Sequence, residues 1–86
     1  MKTIWKFTLE HGGETIEMPQ GAVILTAREQ GESICLWAEV DTQALYERRS
    51  FMVYGTGHQM PNYKMKYIGT ASLEGGALIF HVYEEV

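Results

Sequence analysis

The run Ala22-Val23-Ile24-Leu25-Thr26-Ala27-Arg28-Glu29-Gln30-Gly31-Glu32-Ser33-Ile34-Cys35-Leu36-Trp37-Ala38-Glu39-Val40-Asp41 decides the fold. Its second half alternates, with Ile34, Leu36, Ala38 and Val40 on one face and Cys35, Trp37, Glu39 and Asp41 on the other. A two-residue period is the pattern of a strand with one buried side. The first half holds Val23, Ile24, Leu25 and Ala27, and Gln30-Gly31-Glu32-Ser33 between the halves supplies a turn. The pattern predicts an antiparallel hairpin. Trp37 shares its face with two acids, which places it at an edge of that face or beneath another element.

The same period extends outward in both directions. Thr3 to Leu9 sets Trp5, Phe7 and Leu9 against Ile4, Lys6 and Thr8, and His11-Gly12-Gly13 ends it. Ile16 and Met18 then alternate with Glu17 up to a Pro19-Gln20-Gly21 turn, so the first two strands read as a hairpin. Asp41 to Glu47 is too short for a useful helical period and reads as a loop. Arg49, Phe51 and Val53 alternate with Ser50, Met52 and Tyr54, after which Gly55 to Lys64 shows no regular pattern. Met65 to Leu73 is a strand in which Gly69 marks a bulge or a close backbone contact. Glu74-Gly75-Gly76 is a hairpin turn, and Ala77 to Glu84 carries Leu78, Phe80 and Val82 one way and Ile79, His81 and Tyr83 the other. With both faces partly apolar, this last strand belongs at the centre of a sheet or at a subunit interface. The expectation is an all-β domain over residues 1–86, a small antiparallel barrel or sandwich of about six to seven short strands, mostly meander hairpins.

Composition narrows the function classes. The 86 residues are 45% hydrophobic, enough for one folded domain and unlike a disordered chain. A core this small is thin, so a homo-oligomer is expected, and pairing of edge strands across a two-fold is one way to form it. Eleven acidic and seven basic residues leave a net charge of −4, and the cations are scattered apart from Arg48-Arg49 and the Lys64/Lys66 pair. That distribution argues against a nucleic-acid polymer as partner. Cys35 is the only cysteine, which excludes an intramolecular disulfide and a multi-thiolate zinc site and fits a reducing cytoplasm. The alternating N-terminus is unlike a signal peptide, and no apolar run approaches the roughly 20 residues of a bilayer span. A soluble intracellular protein with no membrane partner is expected.

The stretch Phe51-Met52-Val53-Tyr54-Gly55-Thr56-Gly57-His58-Gln59-Met60-Pro61 is a strand that delivers a polar loop. Gly55-Thr56-Gly57-His58 is neither a dinucleotide fingerprint nor a phosphate loop, because the third glycine, the lysine and the following helix are missing. It offers backbone amides, a hydroxyl and an imidazole to an anion or a nucleobase edge, and it equally suits a plain connection with no ligand. If the strands carrying Arg48-Arg49 and Lys64/Lys66 pair, their cations converge on this loop, where Tyr54, Tyr63 and Tyr67 could stack on a base. The candidate ligand-binding set is therefore Tyr54, Gly55, Thr56, Gly57, His58, Arg48, Arg49 and Lys66. The competing reading has these cations balancing Glu39, Asp41 and Glu47 across strands.

Catalytic chemistry finds little support. His11, His58 and His81 have no common zinc spacing, and His81 reads as packed among Phe80, Val82 and Tyr83. Cys35, between Ile34 and Leu36, reads as a small buried hydrophobe, and Glu84 and Glu85 point to opposite faces of their strand. No enzyme activity, catalytic residue, metal or cofactor is expected.

Over nearly its whole length the chain resembles a family of short tailed-phage proteins of unknown function. The segments that carry the resemblance are Met1-Lys2-Thr3-Ile4-Trp5-Lys6-Phe7, Cys35-Leu36-Trp37-Ala38, Tyr54-Gly55-Thr56-Gly57-His58, Tyr67-Ile68-Gly69-Thr70 and Gly75-Gly76-Ala77-Leu78-Ile79-Phe80-His81-Val82-Tyr83-Glu84. The resemblance implies a phage origin, expression in the host bacterial cytoplasm, and an accessory role in counter-defence or host takeover. It transfers no site residue. The leading expectation is a non-enzymatic binding protein that sequesters a small anionic, nucleotide-like ligand. The alternatives are an inhibitor that binds a host protein through an acidic and aromatic surface, with Trp37 and Tyr46 as contacts, or a minor virion structural or assembly protein.

Overall fold

The computed structural model describes residues 1–10 and 12–86, and the His11 part of the first turn lies outside the described residues. Seven strands follow in order: β1 (Lys2–Leu9), β2 (Gly13–Pro19), β3 (Val23–Gln30), β4 (Ser33–Asp41), β5 (Tyr46–Gly55), β6 (Met65–Leu73) and β7 (Leu78–Glu85), with one 3-10 turn at Glu74–Gly76. They form two antiparallel sheets, β1-β4-β3 and β2-β5-β7-β6. The fold is a sandwich and not a closed barrel.

The hairpins β3-β4 and β6-β7 are present as the sequence indicates, and β7 is central, between β5 and β6. The first hairpin is not. β1 pairs with β4, from Lys2↔Asp41 to Leu9↔Ile34, while β2 pairs with β5 in the other sheet. The physical reason is that alternation tells which side of a strand is buried and leaves its partner open. Trp5, Phe7 and Leu9 on β1 and Ile16 and Met18 on β2 meet in one interior from opposite sheets. The mostly meander order is corrected likewise, since β1-β4, β2-β5 and β5-β7 join strands distant in the chain.

The core is made by the inward faces. Met18, Leu36, Ala38, Val40, Phe51 and Val82 are fully or almost fully buried, and Ile24, Ile34, Val53 and Ile68 pack against them. The sheets close on each other along the β3 and β6 edges. β6 bulges between Tyr67 and Gly69, and a Cβ at Gly69 would run into the backbone of Ala27 on β3. Beside this contact the Glu29 carboxylate accepts the Ser72 N–H at 2.5 Å.

Among the described residues, one charged pair lies inside. Arg49 shares the inward face of β5 with Phe51, and Glu84 shares that of β7 with Val82. Arg49 Nε donates to Glu84 Oε2 at 2.6 Å and Nη2 to Oε1 at 2.9 Å, a two-pronged pair with side-chain exposures of only 20% and 9%. The third prong, Nη1, donates to the carbonyl of Ala22 at the entry to β3 in the other sheet. The hydrogen bond to the Glu84 carboxylate raises the already high pKa of the guanidinium, so Arg49 stays charged.

Removing either partner leaves a largely desolvated charge alone. Arg49→Ala or Glu84→Ala is expected to lower stability by about 3 kcal/mol in urea unfolding, and Arg49→Met with Glu84→Leu to recover part of the loss. Gly69→Ala is expected to cost about 2 kcal/mol, because the Ala27 backbone must shift to admit a methyl group.

Candidate functional site

β5 carries the chain to the loop, and the loop closes on itself. His58 N–H donates to the Gly55 carbonyl at 3.0 Å, and Gly57 takes φ 88°, the value a type II turn needs at its third residue. The imidazole folds back over Gly55 and accepts its N–H on Nδ1 at 3.1 Å, which places the proton of the neutral ring on Nε2. Thr56 N–H donates to the Ile79 carbonyl at 3.3 Å. Three of the four amides considered for an anion are thus engaged within the chain.

The convergence of cations is not found either. β7 lies between β5 and β6, so the strands that carry Arg48-Arg49 and Lys66 do not pair. Arg48 faces outward opposite Glu17, six residues up β5 from Tyr54, or roughly 20 Å at the usual strand rise. Arg49 is held by Glu84. Lys66 stands opposite Glu84 on the outermost strand of its sheet.

The remaining candidates divide between two surfaces. Gly55 and His58 line a cleft of about 680 Å³ at the loop end of the sandwich. Leu9, Ile34, Val53, Leu78 and Phe80 give it apolar walls, and Glu10, Glu32 and Glu74 stand among its lining, with no lysine or arginine among the described lining residues. Carboxylates without a balancing cation disfavour an anionic ligand there.

Tyr54 and Thr56 belong to the outer face of the four-stranded sheet. Residues opposed across neighbouring strands share a face, which joins Tyr54 to His81, Thr70 to His81 and Tyr67 to Tyr83. The Tyr83 ring sits edge-on to Tyr54, with centroids 6.0 Å apart, and to Tyr67 at 5.5 Å. Tyr54 OH points to Met65 Sδ at 3.7 Å. A polar chain runs beside the rings, from Tyr67 Oη to Thr70 Oγ1 (2.5 Å), from Thr70 to His81 Nδ1 (3.3 Å), and from His81 Nε2 to Thr56 Oγ1 (2.8 Å). Tyr63, in the preceding loop, donates to Glu85 Oε1 at 3.0 Å, and this bond to a carboxylate raises its phenol pKa. Tyr63 and Tyr67 remain 55% and 53% exposed.

Of the three tyrosines considered for stacking, Tyr54 and Tyr67 come together through Tyr83. His81 and Tyr83 were absent from the candidate set, although their shared parity on a central strand was a readable signal. Trp37 lies on the outer face of the three-stranded sheet under the Arg28 guanidinium, 5.5 Å from its ring, and Cys35 is buried. The metal reading that includes His11 falls partly outside the described residues; among those described, no group of three His, Cys, Asp or Glu side chains is placed to hold a metal ion. Among them, too, no helix is long and apolar enough to cross a membrane.

The chain belongs to the family of DUF7352, a domain of unknown function, whose model matches residues 1–86. No curated protein and no solved structure matches it significantly.

The closed loop has a direct readout. His58→Ala removes the Gly55 N–H acceptor, so amide exchange at Gly55 is expected to quicken about fivefold, the equivalent of a hydrogen bond worth about 1 kcal/mol. Unchanged exchange would show that His58 does not hold the turn.

Proposed function

For this member of a family of unknown function, we propose a non-enzymatic binding role in which a protein partner docks on the outer face of the four-stranded sheet. One observation carries it: Tyr54, Tyr83 and Tyr67 form a pre-packed aromatic cluster, flanked by Met65 and the exposed Tyr63. Tyrosine offers a large amphipathic contact with few rotatable bonds, and it is enriched among residues that dominate binding energy. The ring contacts and the Tyr67–Thr70–His81–Thr56 chain orient these side chains before any partner arrives, which lowers the entropy lost on docking.

Protein docking is favoured here over sequestration of a nucleotide-like anion. Three of the four loop amides are engaged, the cations are dispersed, and the end cleft is lined by carboxylates. The phage origin implied by the resemblance makes a host-cell protein the partner, with counter-defence or host takeover as the setting.

The test is a pull-down from host lysate with the tagged chain, followed by titration of the captured protein. Tyr67→Ala, with a native circular dichroism spectrum, is expected to weaken binding about 30-fold, a loss of about 2 kcal/mol typical of a hot spot. Equal binding by the wild type and the Tyr67→Ala and Tyr63→Ala variants would remove this face from the function. A rise of more than about 10 °C in melting temperature with a nucleotide would restore the anion reading. Stoichiometric recovery in purified virions would favour a structural role.

A further inference from the structure

The two sheets have four edge strands, and they are protected unequally. β3 and β6 lie against each other at Ala27 and Gly69 and are tied by Glu29 and Ser72. β2 ends in Pro19, which has no N–H to offer, and begins at Gly13 with φ 103°. β1 has none of these devices: its eight residues contain no proline, glycine or bulge, and its register with β4 is unbroken. Charged side chains commonly guard such an edge. Here both lysines reach back across their own sheet, Lys2 to Glu39 at 3.3 Å and Lys6 to Gln30 at 2.6 Å.

The ladder fixes which backbone groups are free. Thr42 N–H donates to the Met1 carbonyl, one pair beyond Lys2↔Asp41. Hydrogen-bonded and non-hydrogen-bonded pairs alternate in an antiparallel ladder, so Thr3, Trp5, Phe7 and Leu9 bond to β4. Lys2, Ile4, Lys6 and Thr8 then present their N–H and C=O groups to the open side.

We propose that β1 pairs antiparallel with β1 of a second copy about a two-fold axis at Trp5, merging the two three-stranded sheets into one continuous sheet. Overlap and charge together select this register, since axes at Thr3 or Phe7 pair less of the strand. A two-fold at Lys6 would oppose Lys6 to Lys6 of the second copy, and one at Ile4 would oppose Lys2 to Lys6 of the second copy; like charges directly opposed destabilise a sheet. The axis at Trp5 sets Ile4 opposite Lys6 and Lys2 opposite Thr8, and allows about eight inter-chain backbone hydrogen bonds. It also brings together the half-buried Trp5 rings, which pack edge-on to Phe7 at the rim of the core.

Sedimentation equilibrium of the full chain tests this at about 100 μM, where the dimer population follows mass action. The wild type is expected to be a dimer. Ile4→Pro removes an N–H that has no partner among the described residues, at an edge position where proline is tolerated, so its circular dichroism spectrum and melting should persist. Ile4→Lys, at a side chain 55% exposed, sets a second ammonium group against Lys6 of the other copy. Each variant is expected to weaken the dimer at least about 100-fold while Tyr67→Ala leaves it intact. A monomeric wild type, a dimer that survives both Ile4 substitutions, or one dissolved by Tyr67→Ala would overturn the proposal.

Discussion

The Arg49–Glu84 pair is the constraint on which the sandwich depends. It joins β5 to β7 at the centre of one sheet and reaches Ala22 at the entry to the other. Burying two charges is expensive, and this pair offsets the expense by engaging both carboxylate oxygens and three guanidinium nitrogens. Its larger consequence is register. A one-residue slip of β7 would turn Glu84 outward and leave Arg49 unpaired in the interior, so the slip is strongly disfavoured. The same register holds His81 opposite Tyr54 and Tyr83 opposite Tyr67. An interaction inside the sheet therefore composes the aromatic face outside it.

The corner at Gly69 performs the complementary task. The bulge after Tyr67 turns β6 so that its backbone can lie on Ala27, closing the β3 and β6 sides of the sheets. Tyr67 sits just before the bulge and Thr70 just after it, and their 2.5 Å hydrogen bond spans the irregularity. Closing one side of the sandwich leaves the β1 and β2 edges as the open one. The tyrosine face and the β1 edge belong to different sheets, so a docked partner and a second copy need not compete.

Much of the fold was legible because burial alternates so regularly. The β3-β4 and β6-β7 hairpins, the central place of β7 and the close approach at Gly69 all follow from period and turn chemistry. Pairing between distant strands was not legible, since β1 and β2 present equally good inward faces to any partner. The fate of Arg49 was half written: it alternates with Phe51 and Val53, and Glu84 alternates with Phe80 and Val82, two opposite charges on two core-facing rows. Reading the arginine as a ligand contact followed from its nearness in sequence to the loop. The internal closure of the loop was not legible for a local reason. Two glycines and a histidine look open in sequence, yet the His58 side chain turns back to cap the Gly55 amide.

The outer face of β5, β7 and β6 is the surface on which the functional reading stands, and photocrosslinking in cells that naturally carry the protein addresses it most directly. A photoreactive amino acid would replace Tyr67 in one version of the chain and the exposed Gln20, just past the end of β2 at the opposite edge of the same sheet, in another. A discrete adduct with one cellular protein from position 67, with none from position 20, is the expected result. Adducts of equal yield from both positions, or none from position 67 where the chain is active, would contradict a docking role for this face.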